Sequence, residues 1–270
     1  MRLSFFLSAP VVGLLLLGAA PARAQFAPES LLPPRLEDVA ELAFEKAPAS
    51  CAHPFGLRAG QDLEYRLLDA KGKATGTLRY RVLRLDTDSA SPKKHAGPIT
   101  RVMLKSGLYD LTNQVQQQQD LTFFCRNDTT FTDGLSEINY GGLKSFRDRL
   151  LAYSATPLAW PNQPAAGTTL AEGGVVVQVS SPSVAIAKIK TTLKKRRVVS
   201  GPAPVTVPAG TFSCYTVESQ RELATAARVD LVLKSGGREV DYYDPAVGIV
   251  KTEYYDKGGK LVQTRVLSRR

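Results

Sequence analysis

Period-two alternation between Val207 and the C-terminus constrains the fold more than any other feature of this sequence. Alternating apolar and polar residues direct one face of a β-strand to a core and the other face to water. Residue types that tight turns favour separate the alternating runs, at residues 234–237, 244–245 and 256–259. This region is therefore predicted to form a five-strand antiparallel meander. The predicted core-facing positions are Val229, Leu231, Leu233, Val240, Tyr242, Val262, Thr264 and Val266.

The same alternation starts near residue 63, and no stretch of linker composition interrupts it. Its phase slips after Val82, because Leu83 and Leu85 become the apolar positions, and this slip predicts a β-bulge. Between residues 143 and 151, apolar residues recur at helical spacing and predict one or two helical turns. The rest of the pattern predicts an all-β fold. The further predicted strands are residues 63–68, 73–85, 101–104, 121–125 and 175–179.

Residues 1–24 have the pattern of a cleavable export signal. Arg2 precedes an apolar run at residues 3–20, and residues 22–24 supply the small side chains of a cleavage site. A transmembrane anchor is the alternative, but Pro10 interrupts the run. No cysteine lies near the cleavage point, so a lipid-anchored lipoprotein is not expected. We therefore expect a periplasmic or secreted protein that does not span a membrane after processing.

Three segments follow from these patterns. Residues 1–24 form the signal peptide, residues 25–50 an N-terminal extension, and residues 51–270 a single antiparallel β domain. Within the extension, apolar positions between residues 35 and 46 share one helical face, which predicts a short amphipathic helix. Pro48 ends this helix, because proline cannot continue the backbone hydrogen bonds.

Three cysteines in an exported chain predict one disulfide and one remaining thiol. Cys214 shares a predicted strand face with Phe212, which favours a buried thiol. Cys51 and Cys125 both lie outside the C-terminal meander. The predicted disulfide therefore joins Cys51 to Cys125, although the sequence alone leaves all three pairings open.

Six of the ten positions between residues 188 and 197 are basic, in a chain of net charge +10. They are candidates for an anionic-surface patch that binds lipid headgroups or an acidic polysaccharide. The alternative is a solvated strand face, or an edge strand whose lysines prevent unwanted pairing. Nucleic acid is not expected as a partner, because an export signal precedes the run and no aromatic residue separates the cations. The six residues are Lys188, Lys190, Lys194, Lys195, Arg196 and Arg197.

The sequence carries no recognisable set of catalytic or metal-binding residues. His53 and His95 are far apart, and neither has a partner at zinc-like spacing. No G-x-S-x-G elbow, Walker loop or dinucleotide fingerprint is present. The acidic residues are scattered, although carboxylates brought together across strands would escape a sequence search. We therefore expect a non-enzymatic protein with no cofactor and no metal site.

Five segments, taken in order, resemble the TapB family, a group of exported bacterial proteins of unknown function related to uncharacterised envelope β-domains. The resemblance covers essentially the whole chain after residue 50 and carries over no catalytic residue. The family's three cysteines fall on Cys51, Cys125 and Cys214. The segments are CAHPFGLRAGQDLEYRLLDAKGKATGT from Cys51, FFCRND around Cys125, LAWPNQPAAGTTL from Leu158, VPAGTFSCYTV from Val207, and YYDPAVGIVKTEYYDKGGKLVQTRVL from Tyr242.

This resemblance implies an antiparallel meander curled into an open or rolled β-barrel, with one or two short helices. The function we expect is that of an exported envelope protein that binds an apolar or amphipathic ligand in its curved sheet, with lipid or an envelope protein as partner. One alternative is a structural or adaptor protein that docks an envelope partner through a sheet edge or the basic strand at residues 188–197. A hydrolase is a further alternative. The tyrosines that would fill the barrel instead of a ligand are Tyr65, Tyr80, Tyr242 and Tyr254.

Overall fold

Alternating residues build one antiparallel sheet in the computed structural model of the chain, which describes residues 50–88, 98–146, 148–228 and 231–270. Thirteen strands lie within these described ranges. In chain order they are β1 (Asp62–Asp69), β2 (Ala74–Asp88), β3 (Ile99–Tyr109), β4 (Val115–Arg126), β5 (Thr129–Thr132), β6 (Leu150–Thr156), β7 (Leu158–Pro161), β8 (Gly173–Ser180), β9 (Ala185–Val207), β10 (Gly210–Arg228), β11 (Leu231–Asp244), β12 (Gly248–Asp256) and β13 (Leu261–Arg269).

The strands are hydrogen-bonded in the order β6-β8-β9-β10-β11-β12-β13-β1-β2-β3-β4-β5-β7. The sheet curls into a nearly closed barrel, so the all-β, barrel-like prediction is confirmed. Strands β1 and β13 meet in the middle of this order, where Leu67 lies opposite Arg265. The register of β2 on β3 shifts between Val82 and Arg84, which confirms the predicted bulge.

Helical structure between β5 and β6 is brief. Helix α1 (Tyr140–Leu143) lies between two 3-10 turns, Gly134–Glu137 and Lys144–Phe146. The Asn139 side chain caps α1 by accepting a backbone hydrogen bond. The predicted helical turns are thus confirmed, but residues 150–151, which the same spacing included, begin β6 instead because they pair with β8.

Two hydrophobic cores support the sheet. The main core lies inside the barrel and contains Trp160 and Tyr243, whose rings meet edge to face at 5.2 Å. In the second core, Ile138 and Leu143 of the helical segment pack with valines of β8 and with residues of β9. Leu135 packs against both cores, so the helical segment is held from two sides.

Four strands rather than five follow β9 in the described chain, because residues 234–237 do not form a turn. Gly236 and Gly237 lie within β11 instead. A Cβ atom on Gly236 would overlap the carbonyl oxygen of Arg221, and one on Gly237 would overlap that of Tyr255. These glycines therefore permit the backbones of β10 and β12 to approach β11 closely. Close approach of the backbones, and not a turn, explains glycine at these two positions of the strand.

A disulfide joins Cys51 to Cys125 on β4, with an S–S distance of 2.01 Å. Cys214 is buried on β10 and lies outside this bond. The predicted export signal at residues 1–24, and the extension as far as residue 49 with its predicted helix, lie outside the described residues. In the part of the chain that the structure describes, none of the helical segments has the length and hydrophobicity that crossing a bilayer requires.

Candidate functional site

Three arginines and three carboxylates lie inside the barrel and are largely removed from solvent. The alternation assigned Val240 to the core and the polar residues beside it to water. Val240 is indeed buried, but Glu239 and Asp241 are more deeply buried, each 1% exposed, so the prediction for the polar residues is wrong. On β13 the same error recurs, because Arg265 is buried while Val262 is 46% exposed. The six charged residues are Glu137, Arg196, Arg221, Glu239, Asp241 and Arg265.

Arg221 on β10 bridges two of these carboxylates. Its Nη1 donates to Oε2 of Glu137 and to Oε2 of Glu239, in each case at 2.6 Å. Its Nη2 donates to the main-chain oxygen of Glu137 at 3.3 Å. The guanidinium also stands 5.4 Å from the ring centre of Tyr254. One cation therefore joins the helical segment to β11 through charge-assisted hydrogen bonds, which are about twice as strong as neutral ones.

A second chain of hydrogen bonds runs from β13 to β11. Arg265 Nη2 donates to Thr252 Oγ1 at 2.9 Å, and Thr252 Oγ1 donates to Asp241 Oδ1 at 2.7 Å. The Arg265 guanidinium lies 5.6 Å from the ring centre of Tyr65. Among the described residues, the buried Nε of Arg265 has no hydrogen-bond partner. This position therefore holds a donor that a further acceptor would satisfy.

The three carboxyl groups respond differently to this environment. Burial raises the pKa of Glu239 to about 8, since the negative charges of Glu137 and Asp241 add to it and Arg221 only partly offsets it. Burial also raises the pKa of Asp241, against the attraction of Arg265. For Glu137, burial opposes ionisation, but Arg221 and Arg265 outweigh it and hold the pKa below its usual range. Near neutral pH the interior therefore carries more positive than negative charge.

Arg196 belongs to this interior, and its assignment to an anionic-surface patch is wrong. Lys195 adopts a left-handed conformation with φ of 49°, and the register of β9 on β10 shifts at this point. This bulge inserts one residue, so Arg196 turns inward where strict alternation would expose it. Its Nη1 and Nη2 donate to the carbonyl oxygens of Ala171 and Ala159, both at 3.2 Å. The guanidinium lies 4.8 Å from the ring centre of Trp160.

The other five basic residues of the run are at least partly exposed on β9. Lys188 and Lys190 are exposed, whereas Lys194 Nζ pairs with Glu222 at 3.1 Å. Strand β9 pairs with β8 on one side and with β10 on the other, so the edge-strand alternative is wrong. An anion-binding role for the exposed residues stays a prediction.

A narrow slot leads from the barrel surface to the charged interior. Glu137 and Arg265 supply its charged lining, which we call the floor, and most of the remaining lining, its walls, is aromatic or aliphatic. The cavity measures about 30 Å³, which is space for one or two water molecules. Tyr65 and Tyr80 are two of the tyrosines predicted to fill the barrel. Their rings meet edge to face at 5.7 Å and line the cavity. The principal apolar walls are Phe55, Leu57, Leu63, Tyr80, Leu104 and Phe123.

Phe55 forms a wall of the slot that lies outside the sheet, as do Leu57, Val247 and the 3-10 turn that carries Glu137. It lies in the 3-10 turn Pro54–Gly56 with φ of 54°, a left-handed conformation that costs a bulky residue about 1 kcal/mol or more. Its carbonyl oxygen accepts a hydrogen bond from Arg270 Nη2 at 2.6 Å. Its ring packs against Gly248, where a Cβ atom would lie 3.3 Å away. Because this turn takes part in no strand pairing, it can move without breaking the sheet.

The interior combines guanidinium donors with apolar walls, a set of groups that suits an acidic headgroup attached to an apolar chain. No group of three or more His, Cys, Asp or Glu within the described ranges is arranged to hold a metal ion. His53 is exposed in the turn after Cys51, and His95 lies outside the described residues.

Sequence comparison identifies the family from nearly the whole barrel. The DUF3108-like family model matches residues 58–267, from just before β1 to the last strand. The chain belongs to the DUF3108-like family. A search of curated proteins finds no match to it.

Two crystal structures share the fold of this DUF3108-like chain. One is a presumed lipoprotein from Parabacteroides distasonis, with a TM-score of 0.64 and 23% identity over 82% of this chain and 99% of that chain. The other is a presumed exported protein with a YmcC-like fold from Bacteroides fragilis, with a TM-score of 0.58 and 20% identity over 81% of this chain and 99% of that chain. At these identities the likeness concerns the fold alone.

Proposed function

We propose that this DUF3108-like protein binds an apolar or amphipathic molecule inside its barrel, with the polar end of the molecule at Arg265. The observation that carries the proposal is a slot with aromatic and aliphatic walls above a charged floor. Small-molecule sites in proteins have this composition, in which a few polar groups orient a ligand among mostly apolar residues.

An acidic headgroup fits this floor better than a neutral one. The raised pKa of Glu239 leaves that carboxyl group protonated near neutral pH, so positive charge is in excess inside the barrel. Arg265 also holds a buried Nε donor without a partner among the described residues. A carboxylate or phosphate group would balance the charge and accept hydrogen bonds from guanidinium groups, which recognise such oxygens well.

Phe55 must move before such a molecule enters. The cavity of about 30 Å³ is far smaller than the roughly 300 Å³ or more of a typical ligand site. Displacing the Pro54–Gly56 turn would widen the slot without breaking the sheet, and it would relieve the left-handed conformation of Phe55. We therefore assign Phe55 the role of a plug over the slot.

Phe55→Ala tests this function with the fluorescent probe N-phenyl-1-naphthylamine. The wild-type protein should bind the probe saturably, and F55A should bind about tenfold more tightly because no plug has to be displaced. Phe131→Ala is the matched control, since Phe131 stacks on Phe124 and does not line the slot. Equal affinities of wild type and F55A, or no saturable binding by either while circular dichroism shows both folded, would refute the proposal.

Arg265→Met tests the headgroup. In the F55A background, this change should weaken the binding of a long-chain fatty acid more than the binding of the alcohol of equal length. A general loss of stability would weaken the binding of both molecules alike, so the ratio of the two affinities reports on the headgroup. A ratio that R265M leaves unchanged would contradict recognition of an acidic group at this floor.

A structural or adaptor role is the second candidate. In the described chain, β6 has a sheet neighbour on one side only, and so do residues 231–236 of β11, because β12 pairs with β11 from Gly237 onward. Unpaired edges of this kind accept a strand from a partner. Pull-down from envelope extract separates the candidates: a stoichiometric protein partner favours an adaptor, and co-purified lipid favours ligand binding.

A hydrolase has less support. Glu137 and Glu239 share Arg221 Nη1, so their carboxylate oxygens lie no further apart than twice 2.6 Å, near the separation of about 5–5.5 Å in retaining glycosidases. However, Glu239 is 1% exposed and does not line the slot, and the cavity has no space for a sugar. We therefore propose a non-enzymatic role.

We further propose that the protein acts in the cell envelope, in the periplasm or after secretion. The predicted export signal at residues 1–24 supports this location. The two proteins of similar fold, a presumed lipoprotein and a presumed exported protein, also support it. We also propose that the chain is related to the TapB proteins, on the basis of the five segments quoted above.

A further inference from the structure

One end of the sheet, formed by β6, β8, β9, β10 and β11, extends past the last residue of β12. The registers bring the ends of these strands together, because Leu150 lies opposite Ser180, Ser180 opposite Ala185, and Arg228 opposite Leu231. We call this end the wing tip. Its large apolar residues are Leu150, Tyr153, Val184, Leu231, Val232 and Leu233, and its lysines are Lys188, Lys190 and Lys234.

The apolar side chains of the wing tip are unusually exposed for their size. All six are between 42% and 68% exposed, and Leu233 and Val184 are the most exposed of them. Single exposed apolar residues are common on soluble proteins. Six of the ten large apolar residues that are exposed in the described chain lie at this one end of the sheet, on its two faces, and such a concentration marks a site of interaction.

Three lysines lie on the outer face of the wing tip, which they share with Val232, whereas Leu231 and Leu233 lie on the other face. Lys190 and Lys234 lie in one cross-strand row, on either side of Ala224, and Lys188 lies in the next row toward the tip. Among the described residues, no carboxylate forms an ion pair with any of the three lysines. Glu222, the acidic residue beside them, is already paired with Lys194 at 3.1 Å. The wing tip therefore presents exposed apolar side chains on both faces of the sheet and unpaired lysines on one of them.

We propose that the wing tip docks on the surface of a bilayer that contains anionic lipid. The apolar residues of the two hairpin ends would enter the boundary between headgroups and acyl chains, and the lysines would lie at the phosphate groups. Interfacial binding of proteins depends on these two contributions together, apolar burial and attraction of cations to anionic lipid.

A second copy of the chain fits the wing tip less well. Antiparallel pairing of the unpaired edge at residues 231–236 with itself would place Lys234 of each copy near the dyad, close to its symmetry mate. Like charges that face each other across paired strands are destabilising, and an edge lysine is a common guard against such pairing.

Vesicle co-sedimentation tests the proposal with the full-length protein. Binding should occur to phosphatidylcholine vesicles that contain phosphatidylglycerol and not to phosphatidylcholine alone. It should weaken as ionic strength rises from about 0.1 M to about 1 M, where the Debye length falls from about 10 Å to about 3 Å. K188Q/K190Q should lower the partition coefficient by about 25-fold, since each cation near a membrane surface contributes about fivefold.

L231S/L233S should lower the partition coefficient at least about tenfold, because it removes apolar burial and keeps every charge. The matched controls are Leu111→Ser, which changes an exposed leucine in the β3–β4 turn, and K71Q/K73Q, which removes two exposed lysines in the β1–β2 turn. All variants share the same N-terminal residues, so differences between them report on the wing tip.

Three outcomes would overturn the proposal: no binding to anionic vesicles, equal losses in the wing-tip variants and the controls, or wing-tip variants that abolish a dimer in gel filtration without changing vesicle binding. The last would assign the edge to chain–chain pairing. A stoichiometric envelope protein that binds at residues 231–236 and competes with vesicles would likewise contradict a lipid surface as the occupant. None of these measurements depends on whether the barrel binds a ligand.

Discussion

Arg221 and Glu137 are joined by a 2.6 Å hydrogen bond between residues that lie 84 positions apart. Glu137 ends a 3-10 turn of the helical segment, and Arg221 lies on β10, so the bond fixes that segment against the inner face of the sheet. Because Glu239 accepts from the same Nη1 atom, three elements depend on one guanidinium.

Replacing Arg221 with methionine should lower the free energy of unfolding by about 3–5 kcal/mol, since it leaves buried carboxyl groups without their cation. Urea denaturation at neutral pH measures this change. The matched control is Arg238→Met, which breaks an ion pair with Glu218 in which both side chains are about one-third to one-half exposed. That control should cost about 0–1 kcal/mol.

The triple variant R221M/E137Q/E239Q should recover most of the stability that R221M loses, because no buried charge then remains unpaired at this point. An R221M protein as stable as R238M would show that the buried bridge does not support the fold.

Glu239 should make the protein less stable as pH rises from about 5 to about 8. Burial raises its pKa from 4.5 to about 8, and a group whose pKa rises on folding stabilises the fold at low pH and loses that contribution as pH passes through the folded value. The slope should be at most about 1.4 kcal/mol per pH unit. Urea denaturation of wild type and E239Q at several pH values measures the difference.

E239Q should flatten this slope, because an amide cannot ionise. The lowered pKa of Glu137 acts in the opposite direction, but only as pH falls below about 4.5 and thus outside this window. Asp241, whose pKa is also raised, contributes a slope of the same sign in both proteins, so E239Q should reduce the slope without abolishing it. Parallel profiles for wild type and E239Q would contradict the assignment of the slope to this residue.

Gly237→Ala should destabilise the protein by about 3 kcal/mol, since its Cβ would overlap the carbonyl oxygen of Tyr255 and the strands would have to separate. Gly258→Ala is the control, because its Cβ would meet only the Asp256 side chain, at 3.3 Å. We expect that change to stay within about 0.5 kcal/mol of wild type. Thermal and urea denaturation measure both changes. Equal effects would contradict the close approach of the strands at Gly237 and would favour the predicted turn at residues 234–237.

Removing the disulfide with C51A/C125A should lower the free energy of unfolding by at most about 4.5 kcal/mol, the loop-closure contribution for a separation of 74 positions. Thiol titration provides a direct check. Unfolded under non-reducing conditions, the wild-type chain should show one reactive thiol, that of Cys214. Three reactive thiols in the wild type, or a reactive thiol that persists in unreduced C214A, would contradict the pairing.

The strands could be predicted from sequence because their apolar residues alternate, and the bulge after Val82 could be predicted because a slip in phase is visible locally. The glycines at 236–237 were mistaken for a turn, since local sequence does not reveal that neighbouring backbones approach there. The bulge at Lys195 was missed for a related reason, because every residue around it is basic and a slip in phase leaves no trace.

The candidate site was largely beyond the reach of sequence reasoning. Alternation analysis assumes that polar residues face water, and inside this barrel Glu239, Asp241 and Arg265 do not. Glu137 and Arg221 meet only through folding, because neither is near the other in the chain. One signal was available: Glu239 and Asp241 share the strand phase of Tyr243, the largest and most deeply buried side chain of that strand.

The pairing of β1 with β13 affects how this protein is made. Nearly two hundred residues separate Leu67 from its partner Arg265, so in a chain synthesised from its N-terminus this edge of β1 stays unpaired until synthesis is almost complete. On either side of the β1–β13 pair, local hairpins would form early, and the pairing of β1 with β13 would form last. A circular permutant that joins the two strands by a short hairpin should therefore fold faster than the natural order.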